Sequence, residues 1–214
     1  MENKEIKIPT ISVIGGIGQG KTSLIEALWK DSSVMKSDNG VVYYSVRESI
    51  PGRGNMDFQI KELPSIVYSL QKEWFKNKSI LKEIASSEVI LFLVPASSFG
   101  YKQEISFFRE LIKSDYYTNQ HVVICLSKSD YLLLDDNCKN VELNSVAKLL
   151  QISNTLYNAF SKDLTQESFS CDSIIPVSVP LDWNYEMLKE KLWEGVIEKT
   201  NETTFDKKAP TIVI

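Results

Sequence analysis

The sequence predicts an α/β fold built on a mostly parallel sheet with one antiparallel strand and helices on both faces. Apolar runs of strand length alternate with segments whose apolar residues recur at helical spacing, as expected of strand–helix–strand units. The run Val89–Pro95 is unbroken, which is typical of a parallel strand covered on both sides, and His121–Ser127 is a second run of this kind. One pair of strands without a helix between them supplies the antiparallel strand.

Strands and helices are expected in the order β-α-β-β-α-β-α-β-α-β-α. The polar residues 31–40 end in the turn signal Asn39-Gly40 and predict a loop. β-Branched and aromatic residues at 41–47, with alternating apolar residues at 56–63, predict the hairpin. Residues 65–87 predict one long helix or two short ones. The other predicted strands are 11–14, 89–95, 121–127 and 173–179, and the other predicted helices are 21–30, 105–112, 146–160 and 181–199.

Composition limits the classes of partner and compartment. The chain has 214 residues, which suits one domain, and its 24 basic against 28 acidic residues give a net charge of −4. No basic block stands out, so neither nucleic acid nor an anionic membrane is the expected partner. The three cysteines are widely spaced and form no CxxC pair, which indicates a reduced, cytoplasmic setting. No apolar run is long enough for direct membrane insertion, and the polar N-terminus does not resemble a signal peptide.

A glycine-rich stretch between the first strand and the first helix fits the pattern GxxxxGK[ST], a phosphate-binding loop. Glycines allow the backbone N–H groups to wrap around anionic oxygens, and the start of the helix adds unpaired N–H groups. In this pattern Lys21 reaches the β and γ phosphates, and the Thr22 hydroxyl ligates Mg²⁺. The predicted phosphate-binding residues are Gly15, Gly16, Ile17, Gly18, Gln19, Gly20, Lys21, Thr22 and Ser23. Two orientations remain open for Gln19, which could point at the γ phosphate or be exposed.

Two short motifs follow the last two predicted strands and suit guanine. The first, Ser127-Lys128-Ser129-Asp130, is similar to the [NT]KxD motif of GTPases, with serine in the first place. The Asp130 carboxylate can accept from N1–H and N2–H₂ of guanine, a pattern that adenine does not offer, while the Lys128 stem lies along the base. The second, Ser178-Val179, is similar to the SA[KL] motif, whose backbone N–H meets guanine O6.

With these motifs the chain resembles the Ras-like and translation-factor-related P-loop GTPases over residues 9–198. The resemblance implies a three-layer P-loop NTPase fold with a single Ras-like G domain over 1–199. Residues 200–214, polar until the last six, predict a tail that is disordered, adds an edge strand or docks on a partner. The resemblance also implies GTP or GDP and Mg²⁺ as ligands, with catalytic roles for Lys21, Thr22 and Glu62. In this assignment Thr22 ligates the metal, and Glu62 holds it through water.

The chain departs from that family in its switch motifs. The expected DxxG is Glu62-Leu63-Pro64-Ser65, and the next residue, glutamine in Ras-like proteins, is Ile66. No threonine occurs between Thr22 and Thr118, so the switch threonine that binds Mg²⁺ has no direct counterpart. The serines available to replace it are Ser32, Ser33 and Ser37, of which Ser37 is preferred. No arginine lies in residues 31–40 to act as an internal finger.

We therefore expect a guanine-nucleotide-binding switch protein with slow or partner-dependent GTP hydrolysis. Residues 31–40 and 64–75 are expected to contact an effector or activating protein, and a homodimer is a further possibility. One alternative is a pseudo-GTPase scaffold that binds nucleotide without turnover. The other is a P-loop kinase for a small molecule, which the scarcity of arginine after Arg109 disfavours. Residues 131–143, apolar and then acidic, predict a surface insertion.

Overall fold

The computed structural model describes residues 8–50, 54–97, 101–133, 143–162, 164 and 169–205. Its strands are β1 (Thr10–Gly15), β2 (Ser33–Asp38), β3 (Val41–Ile50), β4 (Gly54–Glu62), β5 (Val89–Pro95), β6 (His121–Ser127) and β7 (Ile174–Pro176). Its α-helices are α1 (Lys21–Leu28), α2 (Gln71–Lys76), α3 (Lys78–Ala85), α4 (Lys102–Ile112), α5 (Asp130–Leu133), α6 (Leu143–Phe160) and α7 (Tyr185–Phe205). Short 3₁₀ turns span Tyr68–Leu70 and Cys171–Ser173.

The described strands form one sheet in the order β2-β3-β4-β1-β5-β6-β7. Strand β3 pairs antiparallel with both β2 and β4. The remaining neighbours pair parallel, namely β4 with β1, β1 with β5, β5 with β6 and β6 with β7. Within the described chain β3 is therefore the single antiparallel strand, which confirms the predicted architecture. Because the other strands share one direction, the loops that follow β1, β4, β6 and β7 meet at the same edge of the sheet.

The prediction of a loop over residues 31–40 is wrong, because residues 33–38 form the edge strand β2. This strand pairs with β3 from Ser33↔Ser45 to Asp38↔Val41, and Asn39-Gly40 forms a two-residue hairpin turn with φ values of 51° and 79°. An edge strand needs no apolar face, so the polar composition of residues 33–38 gives no sign of a strand in the sequence. The turn also lies close to the segment that follows β4, since a Cβ built on Gly40 would lie 3.2 Å from Pro64 Cγ.

The helical segments follow the predictions with changes at their ends. Residues 65–87 contain two short helices after a 3₁₀ turn. Asn77 lies between the helices and caps the start of α3, because its Oδ1 accepts from the N–H groups of Ser79 and Ile80. Helix α7 continues to Phe205, so the predicted tail over 200–214 begins inside this helix, and residues 206–214 lie outside the described residues. Of the predicted insertion at 131–143, residues 131–133 belong to α5, and residues 134–142 lie outside the described residues.

Buried side chains cover both faces of the sheet and produce three layers. On one face, α2, α3, α4 and α6 pack over β5 and β6, with Phe92 stacked against Phe107 and Phe108. On the other face, α1 and α7 contribute leucines to a second core, in which Trp193 meets the Phe58 ring edge-on at 4.5 Å. Apart from the sheet these cores share no element of regular structure among those described, so the sheet alone joins the two helical layers. No helix within the described ranges is both long and apolar enough to cross a membrane.

The contact between α7 and the start of β6 is unusually close. His121 is buried, its Nδ1 lies 3.1 Å from Glu198 Oε2, and its Nε2 has no hydrogen-bond partner among the described residues. Burial lowers the pKa of His121 more than Glu198 raises it, so the ring is neutral at pH 7 and Nδ1–H donates to the carboxylate. Gly195 lies against the ring, and a Cβ built there would be 2.5 Å from His121 Cδ2.

We predict that Gly195→Ala destabilises the protein, although alanine is the better helix former. The added methyl group would overlap the His121 ring, and crowding of this kind costs about 1–3 kcal/mol of unfolding free energy. Urea unfolding followed by circular dichroism measures the change. In a His121→Ala background the same substitution should instead stabilise by up to about 1 kcal/mol through helix propensity. Equal destabilisation in both backgrounds would contradict the proposed contact.

Candidate functional site

The glycine-rich loop joins the carboxyl end of β1 to the first turn of α1. Gly18 and Gly20 adopt φ values of 70° and 86°, in the left-handed region where a side chain would be strained. Gly20 is the residue that precedes α1, so this conformation turns the chain directly into the helix. The loop therefore aims the first N–H groups and the positive dipole end of an eight-residue helix at the space above the sheet edge.

Lys21 lies inside this arrangement rather than on the surface. Its side chain is buried, and its ammonium donates to the Gly15 carbonyl oxygen at 3.3 Å and to Ser65 Oγ at 2.7 Å. Burial lowers the pKa of Lys21, and the nearby Glu62 carboxylate opposes this effect. A cation that has lost part of its hydration is a strong partner for an anion that enters the loop.

Gln19 does not take the exposed orientation, one of the two that the sequence left open. Its side chain is buried under the loop, where Oε1 accepts from the Gly16 N–H at 2.6 Å. Its Nε2 donates to the Tyr68 hydroxyl at 3.4 Å. Burial raises the pKa of Tyr68, so this hydroxyl remains a neutral phenol. Gln19 therefore ties the glycine-rich loop to the 3₁₀ turn that follows β4.

The chain after β4 runs alongside the loop as a continuation of the parallel pairing. Leu63 N donates to Val13 O at 3.0 Å, and Ile66 N donates to Gly15 O at 3.0 Å. The Ile66 carbonyl then accepts from Ile17 N at 3.3 Å. Ile66 is buried, whereas Ser65 between these contacts is exposed. The degenerate motif is thus fixed against the loop by backbone hydrogen bonds on both sides of Ser65.

Oxygen donors suited to Mg²⁺ meet where β4 ends beside α1. Thr22 Oγ1 donates to Glu62 Oε1 at 2.7 Å, and the Tyr44 hydroxyl donates to Glu62 Oε2 at 2.9 Å. A threonine hydroxyl and a carboxylate are hard oxygen ligands, so the donor set fits the metal that the resemblance implies. No group of three or more His, Cys, Asp or Glu side chains within the described residues could hold a metal by itself. The remaining ligands of a Mg²⁺ ion would therefore come from water and phosphate.

Ser37, the serine preferred from the sequence as a further metal ligand, lies two strand positions away from this group. It pairs with Val42 on β3, and Val42 in turn pairs with Glu62 on β4. Two strand spacings separate the backbones of Ser37 and Glu62 by roughly 10 Å. The structure thus brings Thr22 and Glu62 together but does not place Ser37 beside them.

Four of the five residues predicted to bind guanine, Ser127, Lys128, Asp130 and Val179, line a cavity of about 210 Å³ that adjoins the glycine-rich loop, whereas Ser178 is buried and does not line it. Asp130 begins α5, and its Oδ1 accepts from Ser178 Oγ at 3.1 Å. The buried Ser129 fixes this turn, because its N–H donates to Val177 O and its hydroxyl donates to Leu126 O. The cavity is lined by Gln19, Gly20, Ser23, Leu24, Cys125, Ser127, Lys128, Asp130, Tyr131, Val177, Val179 and Pro180.

A larger cavity of about 350 Å³ lies elsewhere, between the end of α1, the middle of β3 and the start of α7. Acidic and basic side chains line it together, including Glu48, which accepts from Trp29 Nε1 and Lys189 Nζ. It shares no lining residue with the site described above. The candidate site is therefore the cavity on which the loops after β1, β6 and β7 converge, although it is the smaller of the two.

Several residues of the site were missed from the sequence. Tyr44 and Tyr68 both contact predicted site residues, and Ser129 fixes the turn before Asp130. Tyr44 could have been found from the hairpin, because it lies two residues from Val42, the partner of Glu62, and so faces the same side. No local pattern marks Tyr68, since its contact with Gln19 depends on how the chain turns after β4.

Comparison with known proteins gives one family and several similar folds. Residues 10–128, more than half of the chain, match the family described as 50S ribosome-binding GTPase. No curated protein sequence is significantly similar to the chain.

Three solved structures illustrate the similarity in fold. The bacterial selenocysteine-specific elongation factor EF-Sec has 18% identity and a TM-score of 0.55, over 91% of this chain and 29% of that one. The apo cytosolic domain of the T. maritima FeoB iron transporter has 16% identity and a TM-score of 0.56, over 89% and 64%, and the same domain is also known in a GDP form. The bacterial dynamin GTPase LeoA from ETEC has 15% identity and a TM-score of 0.58, over 95% and 40%. The chain thus spans less than two thirds of each of these proteins.

We predict that Tyr44→Phe lowers the unfolding free energy by about 1.5–3 kcal/mol, the usual range for a hydrogen bond to a charged group. The substitution keeps the ring but removes the hydroxyl that donates to Glu62 Oε2. Urea unfolding measures the loss. Tyr131→Phe is the control, because Tyr131 is 68% exposed and its hydroxyl is open to solvent in both the folded and the unfolded chain. Equal small effects of both substitutions would show that the Tyr44 contact contributes nothing.

Proposed function

The chain belongs to the family of 50S ribosome-binding GTPases, and from this premise we propose that it is a guanine-nucleotide-binding molecular switch, a small G protein whose GTP hydrolysis is slow without a partner. The observation that carries the proposal is the shared cavity, because its walls include both the glycine-rich loop and the Asp130 turn. A nucleotide in this cavity would have its phosphates at the start of α1 and its base beside Asp130.

Magnesium is the proposed metal cofactor. The Thr22 hydroxyl and the Glu62 carboxylate lie 2.7 Å apart at the start of α1, next to the expected position of the β and γ phosphates. When bound, Mg²⁺ supplies positive charge that offsets the charge of the phosphate oxygens. Glu62 orients the threonine hydroxyl, and Tyr44 holds the other carboxylate oxygen in place.

We propose slow intrinsic hydrolysis because of the residue after the DxxG-like motif, the position at which Ras-like proteins have the glutamine that orients the attacking water. Ile66 occupies it with a buried apolar side chain that offers no hydrogen bond to water, and its backbone is bound to Gly15 and Ile17. Arginine is also distant from the loop among the described residues, since Arg47 pairs with Asp57 on the hairpin and Arg109 donates to Ala159 O. The water-positioning residue and the arginine finger each contribute large rate factors, so a partner would have to supply them.

Residues 31–40 and 64–75 are proposed as the surfaces for an effector or activating protein. Val34 and Met35 on the edge strand β2 are 63% and 59% exposed, and Leu70 within the second segment is 57% exposed. Apolar side chains in such positions, next to a free strand edge, suit a protein partner. A second copy of the chain is the other proposed occupant. The exposed free thiol of Cys171 supports a reducing, cytoplasmic location.

A pseudo-GTPase scaffold is the second candidate, and the bonding of Glu62 favours it. Thr22 and Tyr44 hold both oxygens of this carboxylate in one orientation, so its remaining lone pairs can accept from a metal-bound water only where that orientation directs them. A nucleotide could then bind without the metal geometry that turnover requires.

The guanine assignment predicts a change of base preference in Asp130→Asn. An asparagine amide offers one donor and one acceptor, which suits the N1–H and 2-oxo group of xanthine instead of the two donors of guanine. We expect GDP affinity to fall by a factor of about 10 to 100 and XDP affinity to rise, as measured by calorimetry. Asp115→Asn is the matched control on the exposed loop after α4. Loss of GDP affinity without any gain for XDP would count against base recognition by Asp130.

Single-turnover assays with radiolabelled GTP and Mg²⁺ distinguish the switch from the scaffold. The switch predicts slow phosphate release by the wild type and none by Lys21→Ala, whose ammonium can no longer meet the phosphates. Lys30→Ala, an exposed lysine beyond the end of α1, is the control for loss of positive charge. Stoichiometric GTP binding without phosphate release would favour the scaffold.

A further inference from the structure

The Lys21 ammonium has a limited number of donors, and protein oxygens already use two of them. A lysine ammonium has three N–H donors. In Lys21 one is given to the Gly15 carbonyl at 3.3 Å and one to Ser65 Oγ at 2.7 Å. The Gly15 contact lies within the loop itself and is compatible with a bound phosphate. One donor therefore remains for a phosphate oxygen as long as Ser65 keeps its contact.

Ser65 is held in position by its neighbours rather than by its own side chain. Leu63 N and Ile66 N donate to β1 and to the loop, and the Ile66 carbonyl accepts from Ile17 N. The preceding carbonyl, Pro64 O, accepts from Trp74 Nε1 at 3.3 Å. Because these contacts fix the backbone on both sides, the Ser65 hydroxyl is presented to Lys21 without the need to order a mobile segment.

We infer that Ser65 is a specificity-determining residue of the proposed nucleotide site, where its hydroxyl takes the Lys21 donor that a γ-phosphate oxygen would otherwise use. A nucleoside diphosphate needs only the remaining donor and leaves the Lys21–Ser65 contact intact. A triphosphate has to displace Ser65 in order to gain a second phosphate contact. The site therefore discriminates against the triphosphate and favours the diphosphate.

This inference rests on the proposed function and makes its own prediction about the ratio of two affinities. Calorimetry with GDP and with the non-hydrolysable analogue GppNHp, both with Mg²⁺, gives that ratio for the wild type and for Ser65→Ala. Alanine keeps Cβ and the backbone contacts but removes the hydroxyl. We expect Ser65→Ala to raise GppNHp affinity relative to GDP by about tenfold, as for loss of one competing hydrogen bond to a charged group.

Two further variants test whether the Ser65 hydroxyl itself, and not the size of the side chain, sets the ratio of the two affinities. Ser65→Thr retains a hydroxyl and should keep the wild-type ratio, whereas Ser65→Gly removes the hydroxyl and should shift the ratio in the same direction as alanine. Ser69→Ala, an exposed serine of the same segment, is the matched control and should leave the ratio within about twofold.

The outcomes that overturn the inference are distinct. If both nucleotides bind but the ratio is unchanged in Ser65→Ala, Ser65 does not compete for Lys21. If GppNHp affinity falls relative to GDP, the Ser65 hydroxyl binds the γ phosphate, which is the opposite role. If the wild type binds neither nucleotide, the proposed function fails and this inference fails with it.

Discussion

The parallel pairing of β4 with β1 is the constraint on which the functional site depends. It aligns Ile60 with Ile11 and Glu62 with Val13, and the hydrogen bonds continue beyond the strand to Ile66 and Gly15. As a result the residues after β4 are set directly beside the glycine-rich loop. The register of the two strands therefore places the Glu62 carboxylate beside Thr22 and the Ser65 hydroxyl beside Lys21, at the start of α1.

The same pairing explains how a divergent switch motif can remain in place. Burial of Ile66 in the core beneath the loop anchors the segment with apolar surface, which needs no ligand. Gln19 and Tyr68 add a second connection on the inner side of the loop. Departures from DxxG thus change the side chains beside the glycine-rich loop, while backbone hydrogen bonds still hold the segment against β1 and the loop.

Local signals predicted the fold and the main motifs, because each signal depends on residues close in sequence. The glycine spacing before Lys21 and the motif ending at Asp130 are of this kind, and both lie at the sheet edge where the strand order places them. The strand β2 escaped prediction because its residues pair only at the edge of the sheet, where no apolar alternation is required. The contacts from Tyr44 to Glu62 and from Ser65 to Lys21 join residues 18 and 44 positions apart, so only the tertiary register reveals them.

The hairpin turn at Asn39-Gly40 brings residues 31–40 into contact with residues 64–75, two segments that lie far apart in the sequence. Gly40 lies against Pro64, the residue immediately before Ser65, with too little space for even a methyl group to enter freely. Displacement of this turn would therefore press on the backbone that presents the Ser65 hydroxyl. A protein docked along the outer edge of the sheet and a ligand held by the Lys21 ammonium would therefore both act on the same short backbone segment, Pro64 and Ser65.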